Sequence, residues 1–105
     1  MDIHFVYFED CPSHAKGLKR LRAVLHDLEI DTDISVVKIE TEEQAHAWKF
    51  TGSPTILING QDIVTPPPEA QYALTCRTYF LPDGRISPLP SAQMIRSALQ
   101  RAQQT

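Results

Sequence analysis

Two short stretches decide the fold: residues 7–14, YFEDCPSH, and residues 52–55, GSPT. The first carries Cys11 at the junction between a strand-like segment and a segment with helical periodicity. The second carries Pro54 immediately before another strand-like segment, and X–Pro bonds adopt the cis form far more readily than other peptide bonds. We predict a cis bond at Pro54, which would turn this backbone towards Cys11.

The segments around the first stretch predict a βαβ unit. Residues 3–8 are β-branched and aromatic on both faces, as in a strand covered on both sides. Residues 13–29 place their leucines and Val24 on one helical stripe and their charged residues opposite. Residues 34–39 have the pattern of a second strand. Short connections then make the two strands parallel neighbours with a right-handed crossover.

The middle of the chain predicts a second helix and a β-hairpin. Thr41 to Gln44 fits a capping box, with a short helix over about residues 42–49. A third strand over residues 55–58 follows. Asn59-Gly60 is a strong signal for a two-residue hairpin turn, so the chain should return through residues 61–63.

The last third predicts an irregular insertion at about residues 64–75, where three consecutive prolines exclude a helix or a central strand. Residues 74–81 look strand-like, Pro82-Asp83-Gly84 predicts a turn, and Ser91 is placed to cap a final helix. The whole predicts a single α/β domain over residues 1–105. Its element order is βαβ-α-ββ-α, with a mixed sheet of four to five strands and helices on both faces.

Composition and charge exclude several classes of protein. The net charge of −3 leaves no basic surplus for a nucleic-acid backbone, and no apolar run approaches the roughly 20 residues that span a bilayer. The first residues have no basic segment typical of a signal peptide. Two cysteines are too few for a secreted disulfide framework. We therefore expect a cytoplasmic protein that needs no cofactor, with its oligomeric state undetermined.

The motifs in this order resemble the thioredoxin superfamily, over nearly the whole chain. In detail the chain is similar to small bacterial thioredoxin-like proteins, some of which carry an alkylmercury-lyase label. The matching motifs are Cys11-Pro12, Gly52 to Thr55, Asn59 to Asp62, and Cys76 to Tyr79. The resemblance implies a thioredoxin-like fold and thiol–disulfide exchange with a small thiol or a protein thiol.

Two positions depart from the thioredoxin pattern. The redox motif of the family is Cys-x-x-Cys, and here its second cysteine is replaced by His14. Thioredoxins also keep a buried acid six residues before the nucleophile, where this chain has Phe5. We therefore do not expect a general dithiol reductase with a local disulfide.

Cys11 is the predicted nucleophile, because a helix N-terminus favours the thiolate. His14, one helical turn later, would favour that thiolate when protonated. The predicted substrate-binding residues are Pro12, Ser53, Pro54, Thr55 and Arg77. The cis bond would leave the backbone groups beside Pro54 free to pair with an extended substrate, and Ser53 could also hydrogen-bond the thiol.

Cys76 is the second candidate thiol, and Arg77 beside it would favour its thiolate. It could resolve a mixed disulfide formed at Cys11, or it could be a structural cysteine. Together with His14, the two sulfurs also suit a soft metal ion. Because no second pair of close ligands accompanies them, we predict no resident metal site.

Three functions remain open at this point. The first is thiol–disulfide exchange through Cys11, with Cys76 as a resolving thiol. The second is a binding module without catalysis, in which the groove at Pro54 holds a peptide or a partner domain and Cys11 is inert. The third is the handling of soft metals, mercury included, which would require both cysteines.

Overall fold

A four-stranded mixed sheet forms the centre of the molecule, in a computed structural model that describes residues 1–104. Its strands are β1 (Ile3–Tyr7), β2 (Ile34–Lys38), β3 (Thr55–Ile58) and β4 (Gln61–Asp62), in the order β2-β1-β3-β4. β1 runs parallel to β2 and antiparallel to β3, which is antiparallel to β4. The predicted α/β class, parallel pair and returning hairpin are confirmed.

Helices cover both faces of this sheet, as predicted. They are α1 (His14–Asp27), α2 (Glu42–Ala47) and α3 (Ala92–Gln103). Alternate residues of a strand point to opposite faces, so β1 contributes to two hydrophobic clusters. Ile3 and Phe5 pack with the apolar stripes of α1 and α3, whereas Val6 packs with Ala45 of α2.

Both predicted helix caps are present. The Thr41 hydroxyl accepts a hydrogen bond from the Gln44 backbone N–H (3.1 Å), and the Gln44 side chain accepts one from the Thr41 N–H (3.2 Å). The Ser91 hydroxyl accepts from the Met94 N–H (3.1 Å) at the start of α3. Side-chain caps satisfy N–H groups that have no partner within the helix, which explains why both helices begin at these residues.

The first helix approaches the sheet closely through a glycine. A Cβ atom on Gly17 would lie 3.1 Å from side-chain atoms of Leu89 and Pro54 and 3.4 Å from Phe5. Because Gly17 has no Cβ atom, α1 packs closely against Pro54. This contact lies where residues 7–14 and residues 52–55 meet. α1 begins at His14, so Pro12 lies before the helix and not in its first turn.

The segment from residue 63 to residue 78 has no helix or strand in the described chain, apart from one isolated bridge at Cys76. The predicted strand over residues 74–81 is wrong for most of its length. Only β5 (Tyr79–Phe80) forms, and it pairs with β6 (Ile86–Ser87) across the predicted Pro-Asp-Gly turn as a separate two-stranded sheet. The preceding residues do not join this sheet because they pair with Ser53.

Among the described helices, none is long and apolar enough to cross a membrane.

Candidate thiol site

Cys11 lies buried in the turn that follows β1. Its backbone N–H donates to the Phe8 carbonyl oxygen (3.0 Å), which closes the turn, and the residue is only 1% exposed. Its thiol donates to the carbonyl oxygen of Ser53 (3.6 Å). The sulfur therefore contacts the second deciding stretch, as the sequence predicted, although α1 begins three residues later at His14.

Ser53 joins the two stretches through both its side chain and its backbone. Its hydroxyl accepts a hydrogen bond from the Phe8 N–H (3.0 Å), and its side chain is fully buried. The group that meets the Cys11 thiol is thus the Ser53 carbonyl and not the hydroxyl, which corrects one prediction. The Ser53–Pro54 bond is cis, as predicted.

The backbone groups beside Pro54 are not free, contrary to the sequence-based expectation. The Ser53 N–H donates to the Thr75 carbonyl oxygen (2.8 Å), and the Ser53 carbonyl accepts from the Arg77 N–H (3.0 Å). The Pro54 carbonyl accepts a hydrogen bond from the Tyr79 hydroxyl (2.6 Å). Residues 75–77 thus take the place of an added strand, in a parallel bridge between Ser53 and Cys76.

This bridge brings Cys76 to Cys11. Hydrogen bonding with the Cys11 side chain raises the pKa of the Cys76 thiol, and burial and the negative charge of an ionised Cys11 act in the same direction. Both cysteines are free thiols, Cys11 buried and Cys76 exposed. Two thiols that are 65 positions apart in the sequence (76 − 11) therefore form one site.

Arg77 does not support the Cys76 thiolate, contrary to prediction. Its guanidinium is 7% exposed, pairs with the Asp62 carboxylate (2.7 Å) and donates to the Val64 carbonyl (2.8 Å). It also lies over the Tyr79 ring, 4.6 Å from the centroid. Neighbouring side chains of an extended segment point to opposite sides, so an Arg77 aimed at Asp62 turns away from the sulfurs.

Thr55 also has a structural role in this buried cluster. Its hydroxyl donates to the Gly52 carbonyl (2.7 Å) and accepts from the Arg77 guanidinium (3.3 Å). Asp62 and Tyr79 complete the cluster, and sequence reasoning missed both as parts of the site. Two signals pointed to them: the Asn-Gly turn predicts that β4 lies beside β3, and the motifs of the resemblance end at Asp62 and at Tyr79.

His14 and Pro12 follow Cys11 in the chain, and in residues 1–104 neither forms a hydrogen bond with the sulfurs of the site. The His14 ring packs on Tyr7 with centroids 4.6 Å apart, and within residues 1–104 no hydrogen bond joins it to Cys11. Pro12 is exposed. In that same range no three His, Cys, Asp or Glu side chains cluster closely enough to hold a metal ion. The expected trio of Cys11, His14 and Cys76 is therefore reduced to the two sulfurs.

Gly52 is a further residue on which the site depends. Its φ of +148° lies where side chains are rarely tolerated, and an added Cβ would come within 2.7 Å of the Arg77 Cα and 2.8 Å of the Arg77 nitrogen. Only glycine lets the backbone at residue 77 approach residue 53 this closely.

Comparison of the chain with protein-family models, curated proteins and solved structures gave no match.

Proposed function

We propose that this chain is a thioredoxin-like protein that performs thiol–disulfide exchange through a non-local redox pair, Cys11 and Cys76. The observation that carries the proposal is that both cysteines meet the Ser53 backbone: the Cys11 thiol donates to the Ser53 carbonyl oxygen (3.6 Å), and Cys76 forms a parallel bridge with Ser53. The element order and the mixed sheet with helices on both faces agree with the thioredoxin-like resemblance of the motifs.

The proposed reaction transfers two electrons and needs no cofactor. A partner disulfide RS–SR accepts the electrons and becomes two RSH, while the thiols of Cys11 and Cys76 become one intramolecular disulfide. The two protons of the protein thiols go to the two RSH products. An excess of small thiol runs the same steps in reverse and returns both cysteines to the reduced state.

The partner in this proposal is a small thiol or a protein thiol and its disulfide. We place the reaction in the cytoplasm, where glutathione and thioredoxin systems keep thiols reduced and structural disulfides are rare. The site is held together by buried contacts of Ser53, Pro54 and Thr55. In this proposal these residues support the cysteine pair, whereas the sequence predicted that they bind the substrate.

Oxidation of the purified protein tests the proposal. The reduced chain is treated with mixtures of oxidised and reduced glutathione over a range of ratios, the remaining thiols are alkylated, and peptides are mapped by mass. We expect both thiols to be lost together, with one peptide pair joined through Cys11 and Cys76. Cys11→Ser and Cys76→Ser are the matched controls, and each should leave its remaining thiol alkylatable.

A specific result would overturn the proposal. If both wild-type thiols remain free at ratios that oxidise ordinary vicinal dithiols, or if oxidation joins two chains and not two positions of one chain, the pair is not a redox couple. Folding of each sample is monitored by circular dichroism, so that an unfolded sample is not mistaken for an unreactive one.

Soft-metal binding is the second candidate, because the site offers two adjacent sulfurs. With no third ligand grouped with them in the described chain, the site would suit an ion that accepts two thiolates, such as Cu(I) or Hg(II). Titration with Cu(I) under anaerobic conditions tests this candidate. Tight one-to-one binding lost in both serine variants would support it, and binding that survives in either variant would exclude the pair as its ligands.

The binding-module alternative finds less support in this geometry. It requires free backbone groups in the groove at Pro54 to hold a peptide. The described hydrogen bonds assign the N–H and carbonyl of Ser53 and the carbonyl of Pro54 to groups of the chain itself.

A further inference from the structure

We propose that Cys76, and not Cys11, receives the incoming sulfur, and that the protein exchanges with low-molecular-weight disulfides in preference to extended protein segments. Cys11 then acts second, as the resolving thiol. This order reverses the one expected from the sequence, and it rests on the redox pair proposed above.

Accessibility distinguishes the two sulfurs. Thiol–disulfide exchange requires the attacking sulfur to reach the partner disulfide directly. Cys11 is 1% exposed and its thiol donates to the Ser53 carbonyl oxygen, whereas Cys76 is exposed. An external disulfide therefore reaches Cys76 first, and Cys11 only if residues 75–77 move away.

The position that an extended partner would need is occupied by this chain. A peptide that adds a strand to an exposed edge depends on backbone hydrogen bonds for its affinity. At Ser53 both backbone groups are bonded to residues 75–77, in 2.8 Å and 3.0 Å contacts. The segment is thus a built-in counterpart of a bound peptide, and Cys76 is the residue of the segment that pairs with Ser53.

Several buried contacts hold this segment in place. Arg77 pairs with Asp62 at 2.7 Å and donates to the Val64 carbonyl at 2.8 Å, and Tyr79 donates to the Pro54 carbonyl at 2.6 Å. A protein substrate that displaced residues 75–77 would have to break the Ser53 pairing and disturb these contacts. A small disulfide that approaches Cys76 from solvent disturbs none of them.

The proposed steps balance in atoms and electrons. The Cys76 thiolate attacks RS–SR, the Cys76–SR bond forms, and RS⁻ leaves and takes up a proton. Cys11 then loses its proton, and its thiolate attacks the Cys76 sulfur, forms the intramolecular disulfide and releases the second RS⁻, which takes up a proton. Because the pKa of Cys76 is raised, a smaller fraction of this thiol is ionised at neutral pH, and the rate of the first step rises with pH over a higher range than it would for an ordinary thiol.

Trapping of the mixed disulfide tests this order. Cys11→Ser and Cys76→Ser are incubated with bis(2-hydroxyethyl) disulfide, and the adduct is followed by intact mass. We expect Cys11→Ser to accumulate the adduct at Cys76, and Cys76→Ser to react about tenfold more slowly or not at all, because its sulfur is protected except when the segment opens. Faster adduct formation at Cys11 in Cys76→Ser would overturn the inference.

Insulin provides the protein-disulfide comparison, with thiol-dependent reduction followed by turbidity. We expect the wild-type chain to reduce bis(2-hydroxyethyl) disulfide at a measurable rate. We expect insulin to be reduced no faster than by the small thiol alone. Preferential reduction of insulin would contradict the proposed substrate class. Failure of the wild type to form the Cys11–Cys76 disulfide with excess oxidised glutathione would instead refute the redox pair itself, so the two proposals fail by different measurements.

Discussion

Replacing Gly52 with alanine should separate the two thiols without touching either of them. The added Cβ would lie 2.7–2.8 Å from three atoms of Arg77, two of which belong to the backbone. Backbone atoms cannot rotate away as a flexible side chain can, so the segment of residues 75–77 has to move. The hydrogen bonds between Ser53 and this segment are then lengthened or lost.

The expected cost has two parts. A residue with a side chain in this positive-φ conformation loses about 1–3 kcal/mol, and forcing extra volume into a packed site adds about 1–3 kcal/mol. Gly84→Ala is the matched control, because Gly84 also has a positive φ, +90°, but nothing lies within 4 Å of its added Cβ. Gly52→Ala should therefore reduce the free energy of unfolding by about 1–3 kcal/mol more than Gly84→Ala. This difference is the overpacking cost alone, because both variants carry the cost of the positive φ.

Three measurements on both variants test this reasoning. Urea unfolding gives the stabilities, and iodoacetamide labelling of reduced protein gives the accessibility of Cys11. Treatment with oxidised glutathione gives the rate of disulfide formation between Cys11 and Cys76. In Gly52→Ala we expect Cys11 to label faster and the disulfide to form more slowly, while Gly84→Ala behaves as wild type in both assays. Equal stability losses in the two variants, together with an unchanged rate of disulfide formation, would refute the close approach of the two backbones.

The remaining predictions concern the buried ion pair and the pH dependence of Cys76. Asp62→Asn leaves Arg77 buried without its anion, so the free energy of unfolding should fall by about 3–5 kcal/mol. The control Asp83→Asn removes the anion of an exposed pair and should change this free energy by less than about 1 kcal/mol. Similar effects of both substitutions in urea unfolding would show that burial does not strengthen the Asp62–Arg77 pair. Cys11→Ser should shift the pH profile of Cys76 alkylation to lower pH, because the hydrogen bond and charge that raise the pKa of Cys76 both come from Cys11. An unchanged or higher midpoint would mean that the two thiols do not interact in solution.

The sequence alone predicts the elements whose signals are local. The apolar stripe of α1, the caps at Thr41 and Ser91, and the Asn-Gly turn between β3 and β4 all follow from residues within a few positions of each other. The parallel pairing of β1 with β2 follows from the short βαβ connections. The two motifs around Cys11 and Pro54 also predicted that the backbone at Ser53 and Pro54 lies beside Cys11.

Only the tertiary structure decided what faces Cys11. Residues 75–77 follow a long irregular segment that carries no periodic signal, so their pairing with Ser53 depends on contacts far apart in the chain. Arg77 is next to Cys76 in sequence, yet its side chain turns to Asp62, because an extended backbone alternates its side chains and a buried guanidinium needs an anion. The sequence determined the framework and named both cysteines but left the position of Cys76 open, whereas long-range packing placed Cys76 against the same Ser53 backbone that the Cys11 thiol contacts.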